Sequence, residues 1–180
     1  MEKKLKSVGI IAEYNPFHNG HKYHLEQALT ESGADVCVSV ISGNFTQRGE
    51  IALLDKWTRA EMAVRNGVNL VVEMPAVFAC GNAGYFAEAG VEILEALGTN
   101  FICFGSESGN TEELSRIARE IESAGPNLEK EIKDAVKGGL AYPRSRSRAV
   151  SRLLGDKAAS VIESPNNILA VEYLKHMKNV

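Results

Sequence analysis

The chain has 180 residues, 44% of them hydrophobic, with a formal net charge of −3 and a pI near 5.9. That length can bury a full core, most simply as one domain with a small appendage, and the acidic balance excludes RNA binding driven by overall charge, leaving only a local basic patch. Three cysteines without C-x-x-C spacing imply reduced thiols rather than a disulfide framework or a zinc site. The charged start Met1-Glu2-Lys3-Lys4-Leu5-Lys6 precedes an apolar run too short for a signal peptide or a membrane span, so a cytoplasmic protein without membrane association is expected.

The first apolar run, Val8–Ala12, is short and rich in β-branched residues, as buried parallel strands are. It leads through Asn15-Pro16-Phe17-His18-Asn19-Gly20-His21 into a helix over His21–Ser32 with Leu25, Ala28 and Leu29 on one face. An H-x-G-H signature at a strand-to-helix turn suits an anionic phosphate, because free backbone N–H groups and the positive end of the helix dipole point there. Gly20 lets the backbone approach the phosphate, while His18 and His21 bracket it and can donate hydrogen bonds as charge builds. His18, His21 and His24 are also spaced for a metal, but no carboxylate or cysteine partner is evident, so phosphate is preferred. His24 reads as an ordinary solvent-facing helix residue.

A second strand, Val36–Ile41, is followed by the polar, glycine-rich loop Ser42-Gly43-Asn44-Phe45-Thr46-Gln47-Arg48-Gly49-Glu50. There Arg48 can grip an acidic substrate or phosphate and Asn44 or Gln47 can orient it; a plain surface turn explains the loop equally well. The next helix, Lys56–Asn66, carries Trp57, Ala60 and Val64 on an expected core face, with Lys56 and Arg59 free for phosphate or solvent. Strand Leu70–Glu73, helix Ala83–Leu97 and strand Phe101–Phe104 continue the alternation, and Gly33, Gly67 and Gly98 terminate helices just before strands. The class is therefore α/β, a doubly wound parallel sheet. With strand order 3-2-1-4-5, the loops after the first and fourth strands flank the ligand crevice. The fourth loop, Gly105-Ser106-Glu107-Ser108-Gly109, offers a glycine for a nucleoside to lie against and two hydroxyls to bind it.

Beyond Gly109 four helical stretches follow, Thr111–Ser123, Leu128–Lys137, Ser145–Leu154 and Asn166–Met177, with short linkers at 124–127 and 155–157. They divide the chain into a nucleotide-binding α/β domain over 1–124 and a helical subdomain over 125–180. Arg144, Arg146 and Arg148, with Arg152 beyond, concentrate positive charge for RNA or triphosphate oxygens. Alternate positions cannot share one helix face, so some of these arginines must point elsewhere. Ser164-Pro165-Asn166-Asn167 reads as a helix start with asparagines available for capping.

Taken together, Val8 through His21 with its Glu13-Tyr14-Asn15-Pro16-Phe17 prefix, Ser42 through Gly49, Asp55-Lys56-Trp57-Thr58-Arg59, Cys103 through Glu107 and Ser164 through Leu169 resemble the bacterial tRNA(Met) cytidine acetate ligase family of the HIGH nucleotidyltransferase superfamily. The resemblance implies a Rossmann-like fold and an enzyme that adenylates acetate with ATP, Mg2+ accompanying the nucleotide. The acetyl group then passes to N4 of the wobble cytidine of elongator tRNA(Met). It also places ATP binding on Ile11, Ala12, Glu13, Tyr14, Asn15, Pro16, Phe17, His18, Asn19, Gly20, His21, Lys22, Tyr23, His24, Gly105 and Asn166, with Asn167 the near alternative, and catalysis on His18 and His21. Asn44, Gln47, Arg48, Arg144, Arg146 and Arg148 remain as substrate or RNA contacts. Family members continue past Val180 into a region that supplies a further ATP-contacting arginine and much of the tRNA surface. The K-M-S-K-S signature of many HIGH enzymes is absent, leaving the 144–152 arginines to steady pyrophosphate. The other readings are a nucleotidyltransferase acting on a small phosphate ester and a nucleotide- or RNA-binding fragment without turnover.

Overall fold

A computed structural model describes residues 4–177, so Met1–Lys3 of the charged N-terminus lie outside the described residues. Two compact units divide between Phe104 and Gly105.

The first unit is a four-stranded parallel sheet, β1 (Ser7–Ala12), β2 (Val36–Ser42), β3 (Leu70–Met74) and β4 (Phe101–Cys103), in the order β3-β2-β1-β4. The order reverses at β1, as expected, and no fifth strand occurs among the described residues. Helices α1 (Asn19–Ser32), α2 (Lys56–Arg65), the single turn α3 (Ala76–Ala79) and α4 (Ala83–Ala96) connect the strands. Val8, Ile10, Tyr14, Leu25, Ala28, Cys37, Ile41, Ala63 and Val68 form a buried cluster around β1. Close approach of α4 to β1 depends on two glycines, since a Cβ at Gly9 would lie 2.6 Å from the Leu94 side chain and one at Gly90 would lie 2.6 Å from Ile11. Gly33, Gly67 and Gly98 all have positive φ, which lets each helix end turn sharply into the next strand.

The inward face of α2 differs from expectation. Arg59 and Ala63, four residues apart, are fully buried, whereas Trp57 is 75% exposed and Val64 is 50% exposed. Trp57 lies two residues from Arg59, about 200° around the helix, so burying one turns the other outward.

The second unit is helical: α5 (Thr111–Lys137), α6 (Tyr142–Leu154), α7 (Asp156–Val161) and α8 (Pro165–His176). The two helices expected at 111–123 and 128–137 run together as α5, interrupted at Gly125, where the backbone leaves helical geometry ahead of Pro126. The expected 124/125 boundary falls inside this helix. Leu114, Ile117, Ala118 and Ile121 on its first half are buried, and α5 packs on α6 and α8, which assigns it to the helical unit. The 155–157 linker is taken up by the start of α7. No helix among the described residues is long and apolar enough to cross a membrane.

Candidate functional site

The H-x-G-H segment is built on a strained turn. Tyr14 follows β1 with φ 49°; positive φ is costly for a large side chain and persists only where surrounding contacts hold it. Those contacts are present. The Tyr14 ring is buried, its hydroxyl is 2.8 Å from Ser39 Oγ, and it packs against Phe17 at 4.9 Å and edge-on against His21 at 5.0 Å. Burial pushes the Tyr14 phenol up to about 12.

His18 is the N-cap of α1, and with His21 it forms a reciprocal box. The Gly20 N–H donates to His18 Nδ1 at 3.1 Å, and the His18 N–H donates to His21 Nδ1 at 3.3 Å. The rings stack with centroids 3.8 Å apart and an interplanar angle of 22°. A ring nitrogen that accepts an N–H carries no proton, so each ring has Nε2–H as the donor left over. Burial, then the neighbouring His18 and His24, lowers the His21 pKa to about 4, and His21 is therefore neutral at pH 7. Gly20 has a further role, because a Cβ there would lie 2.9 Å from His18 Cε1 and push the ring off the cap. His24, expected to face solvent, is half-buried instead. Its Nε2 is 3.4 Å from Cys103 Sγ, and burial lowers its pKa. The three cysteines are free thiols, while Lys22 and Tyr23 are exposed on α1.

Gln47, one of the candidate substrate contacts, ties the loop after β2 to the motif. Gln47 donates its N–H to Glu13 Oε1 at 2.6 Å and its Nε2–H to Gly81 O at 2.9 Å. Asn44 Oδ1 accepts the Lys56 N–H at 3.4 Å, and Asn15 Oδ1 accepts the Leu53 N–H at 2.6 Å. Gln47 is therefore engaged in shaping the loop, whereas Asn44 and Arg48 are exposed. Lys56 pairs with Glu73 at 2.6 Å and lies 5.3 Å from the Trp57 ring centroid. Arg59, expected at phosphate or in solvent, is 0% exposed. It donates to the carbonyls of Leu54, Glu13, Ser42 and Gly43, tying the carboxyl ends of β1 and β2 to the start of α2. Burial lowers its pKa, an effect opposed by the charges of Glu13, Asp55 and Glu73.

In the second unit Glu107, which sequence reasoning had passed over, organises the start of α8. Its carboxylate accepts the N–H groups of Asn166 at 3.2 Å and Asn167 at 2.8 Å. The expected asparagine caps are thus replaced by a carboxylate from a distant loop, favoured by the helix dipole. Asn167 is buried and fully engaged: Oδ1 accepts the Ser108 N–H at 3.1 Å and Nδ2 donates to Val161 O at 2.9 Å. Asn166 is exposed, which favours it over Asn167 as a ligand-contacting residue. Ser106 and Ser108 hydroxyls accept backbone N–H groups of their own loop, and a Cβ at Gly105 would meet nothing within 4 Å. Asn167→Ala is expected to lower the unfolding midpoint by removing the partners of the part-buried Ser108 N–H and Val161 carbonyl, whereas the exposed Asn166→Ala leaves it unchanged. Thermal melts of both variants measure the difference.

A model of the HIGH Nucleotidyl Transferase family matches residues 5–180. The chain belongs to this family. It is 47% identical over 175 residues to a tRNA(Met) cytidine acetate ligase of Syntrophotalea carbinolica, covering 97% of this chain and 42% of that protein. A protein of the same name from Halothermothrix orenii is 43% identical over 178 residues, covering 93% and 42%. The crystal structure of Thermotoga maritima TmcAL bound with alpha-thio ATP superposes with a TM-score of 0.86 at 41% identity, covering 96% of this chain and 43% of that one. The chain thus spans less than half the length of the curated relatives it matches.

In this member of the HIGH nucleotidyl transferase family the basic cluster divides by helix face. Arg144 and Arg148 are exposed, and Arg152, on the same stripe one turn further, pairs with Glu131 at 2.8 Å. Arg146, expected as a substrate or RNA contact, points inward to the buried Glu172 at 2.5 Å, where Lys175 also binds at 2.6 Å. Burial alone would raise the Glu172 carboxyl, but the two cations outweigh it and hold the group below its ordinary range. Arg146 is therefore committed to the α6–α8 packing.

Proposed function

We propose that this chain carries the adenylate-forming chemistry of an ATP-dependent tRNA(Met) cytidine acetate ligase. The observation that carries the reading is the His18–His21 box: two imidazoles with fixed tautomers, stacked at 3.8 Å at a helix N-terminus. An acetate oxygen attacks the α-phosphorus of ATP, the bond to the bridging oxygen of pyrophosphate breaks, and acetyladenylate forms as pyrophosphate leaves. The Nε2–H donors of His18 and His21 stabilise the non-bridging oxygens as charge accumulates, and because they are aligned before the reaction little reorganisation is needed. The N4 amine of the wobble cytidine of elongator tRNA(Met) then attacks the acetyl carbonyl, loses a proton and releases AMP, giving N4-acetylcytidine.

ATP binding is assigned to Ile11 through His24 together with Gly105 and Asn166; the exposed Asn166 side chain and the open space beside Gly105 support this. Mg2+ would arrive with the triphosphate, as the resemblance to the ligase family implies. Arg144 and Arg148 remain for phosphate or RNA. Free thiols and the tRNA substrate accord with a cytoplasmic enzyme.

The test is acetate-dependent exchange of labelled pyrophosphate into ATP. Exchange that requires acetate is the expected result. Exchange with a phosphate ester in place of acetate would indicate nucleotidyl transfer to that ester instead, and ATP binding without exchange would indicate a binding fragment.

A further inference from the structure

Two buried side-chain oxygens have no hydrogen-bond partner among the described residues, Ser42 Oγ and Thr46 Oγ1. Their residues are 0% and 4% exposed. Buried hydroxyls without partners are uncommon because folding strips their water and returns nothing, and here one ends β2 and the other lies four residues on in the loop that follows, at the carboxyl edge of the sheet.

That loop is a small flap. Thr46 N–H donates to Glu50 O at 2.8 Å, Gly49 N–H to Thr46 O at 2.9 Å and Ala52 N–H to Asn44 O at 2.9 Å, with Phe45 and Ile51 bridged antiparallel. Phe45 faces out at 44% exposure while Thr46 faces in. Behind it lies the one fully buried cation of the described residues, Arg59, which donates to the backbone carbonyl of Ser42 at 3.0 Å. Four backbone carbonyls take up its donors, and among the described residues no carboxylate is paired with it. Glu73 is occupied by Lys56 and Glu13 by the Gln47 N–H. Ala12 pairs with Ile41 in the sheet, so Ser42 stands beside Glu13, at the entrance to the H-x-G-H turn.

We infer that Ser42 and Thr46, backed by the charge of Arg59, form the subsite for the carboxylate of a short monocarboxylic acid. This rests on the adenylation reading, which requires a carboxylate next to the α-phosphate, and it names the groups that hold it. Each hydroxyl donates to the carboxylate, which supplies the acceptor that each one lacks in the free chain, and the guanidinium favours an anion at that position. Both hydroxyls are shut away from solvent.

The variants Ser42→Ala and Thr46→Val remove the hydroxyls with little change of volume. Because the free chain gains nothing from them, both variants are expected to raise its unfolding midpoint, where a structural role would lower it. The KM for acetate in pyrophosphate exchange should rise about 10–100-fold per variant, with the KM for ATP unchanged, and Thr46→Ser should restore the acetate value. Acetate titration followed by amide NMR reads the same subsite without turnover, with shifts expected at 42–49 in the parent and absent in the double variant. Acetate shifts that persist in the double variant, or an unchanged acetate KM, would overturn the subsite and leave adenylation standing. Acetate shifts that depend on the two hydroxyls in a protein that shows no acetate-dependent exchange would do the reverse. No acetate shifts in the parent would also overturn it.

Discussion

His21→Ala is expected to lower kcat for acetate-dependent pyrophosphate exchange by about 10²–10³-fold, the usual cost of deleting one donor aimed at a developing oxyanion. Two neighbouring substitutions separate this from damage to the helix start. Asparagine at 21 can still accept the His18 N–H through Oδ1 but has no donor at the Nε2 position, so it should fold like the parent and lose the rate. Glutamine reaches that position with an N–H and should recover part of it. A parent-like rate in His21→Asn would remove His21 from the chemistry. The pH dependence follows from the depressed pKa. Folding lowers the His21 pKa from 6.5 to about 4, so between these values the unfolded chain binds more protons and stability rises with pH. His24 is shifted in the same direction. Urea unfolding should show stability falling as pH drops from 6.5 toward 4, and His21→Asn should flatten part of that slope. Above about pH 5 the His21 donor stays neutral and its contribution to the rate is level.

Arg59→Met should destabilise the first unit by about 3 kcal/mol or more. The side chain fits the space but leaves the carbonyls of Leu54, Glu13, Ser42 and Gly43 without the donors they have in the parent, and a buried acceptor left unpaired, as at Ser42 and Gly43, costs about 1–3 kcal/mol. Arg59→Lys should recover only a fraction, because an ammonium is compact and cannot span carbonyls from three segments as a planar guanidinium does. Denaturant midpoints at constant m-value measure both variants. A loss below about 1 kcal/mol in Arg59→Met would show that these carbonyls find water instead.

Much of the architecture was legible along the chain. Four short β-branched or aromatic runs became β1 to β4, and Gly33, Gly67 and Gly98 adopted the positive φ inferred for them. These features are local, since strand burial shows in composition and a left-handed helix end shows as glycine. The phase of α2 was less legible because its sequence offers two faces. Trp57 and Val64 form the more apolar one, yet the buried face carries Arg59, whose carbonyl partners lie up to 46 positions away. Nothing near Arg59 marks it as internal. Gln47 is polar and lies in a loop, but whether such a group binds substrate or backbone depends on what the fold brings within 3 Å. The same holds for Arg146, drawn inward by Glu172 from 26 positions away.

By itself the sequence determined the parallel α/β class, the helical character of the later residues and the placement of His18 and His21 at the first strand-to-helix turn, because periodicity, glycine punctuation and motif spacing are properties of neighbouring residues. Only the tertiary structure decided the neutral His21 and its Nε2–H tautomer, the buried Arg59 crosslink, the Glu107 clasp on α8 and the unpartnered hydroxyls of Ser42 and Thr46. Each of these depends on desolvation and on hydrogen-bond partners that are distant in sequence or set by exact side-chain placement, and such quantities exist only once the chain has closed on itself.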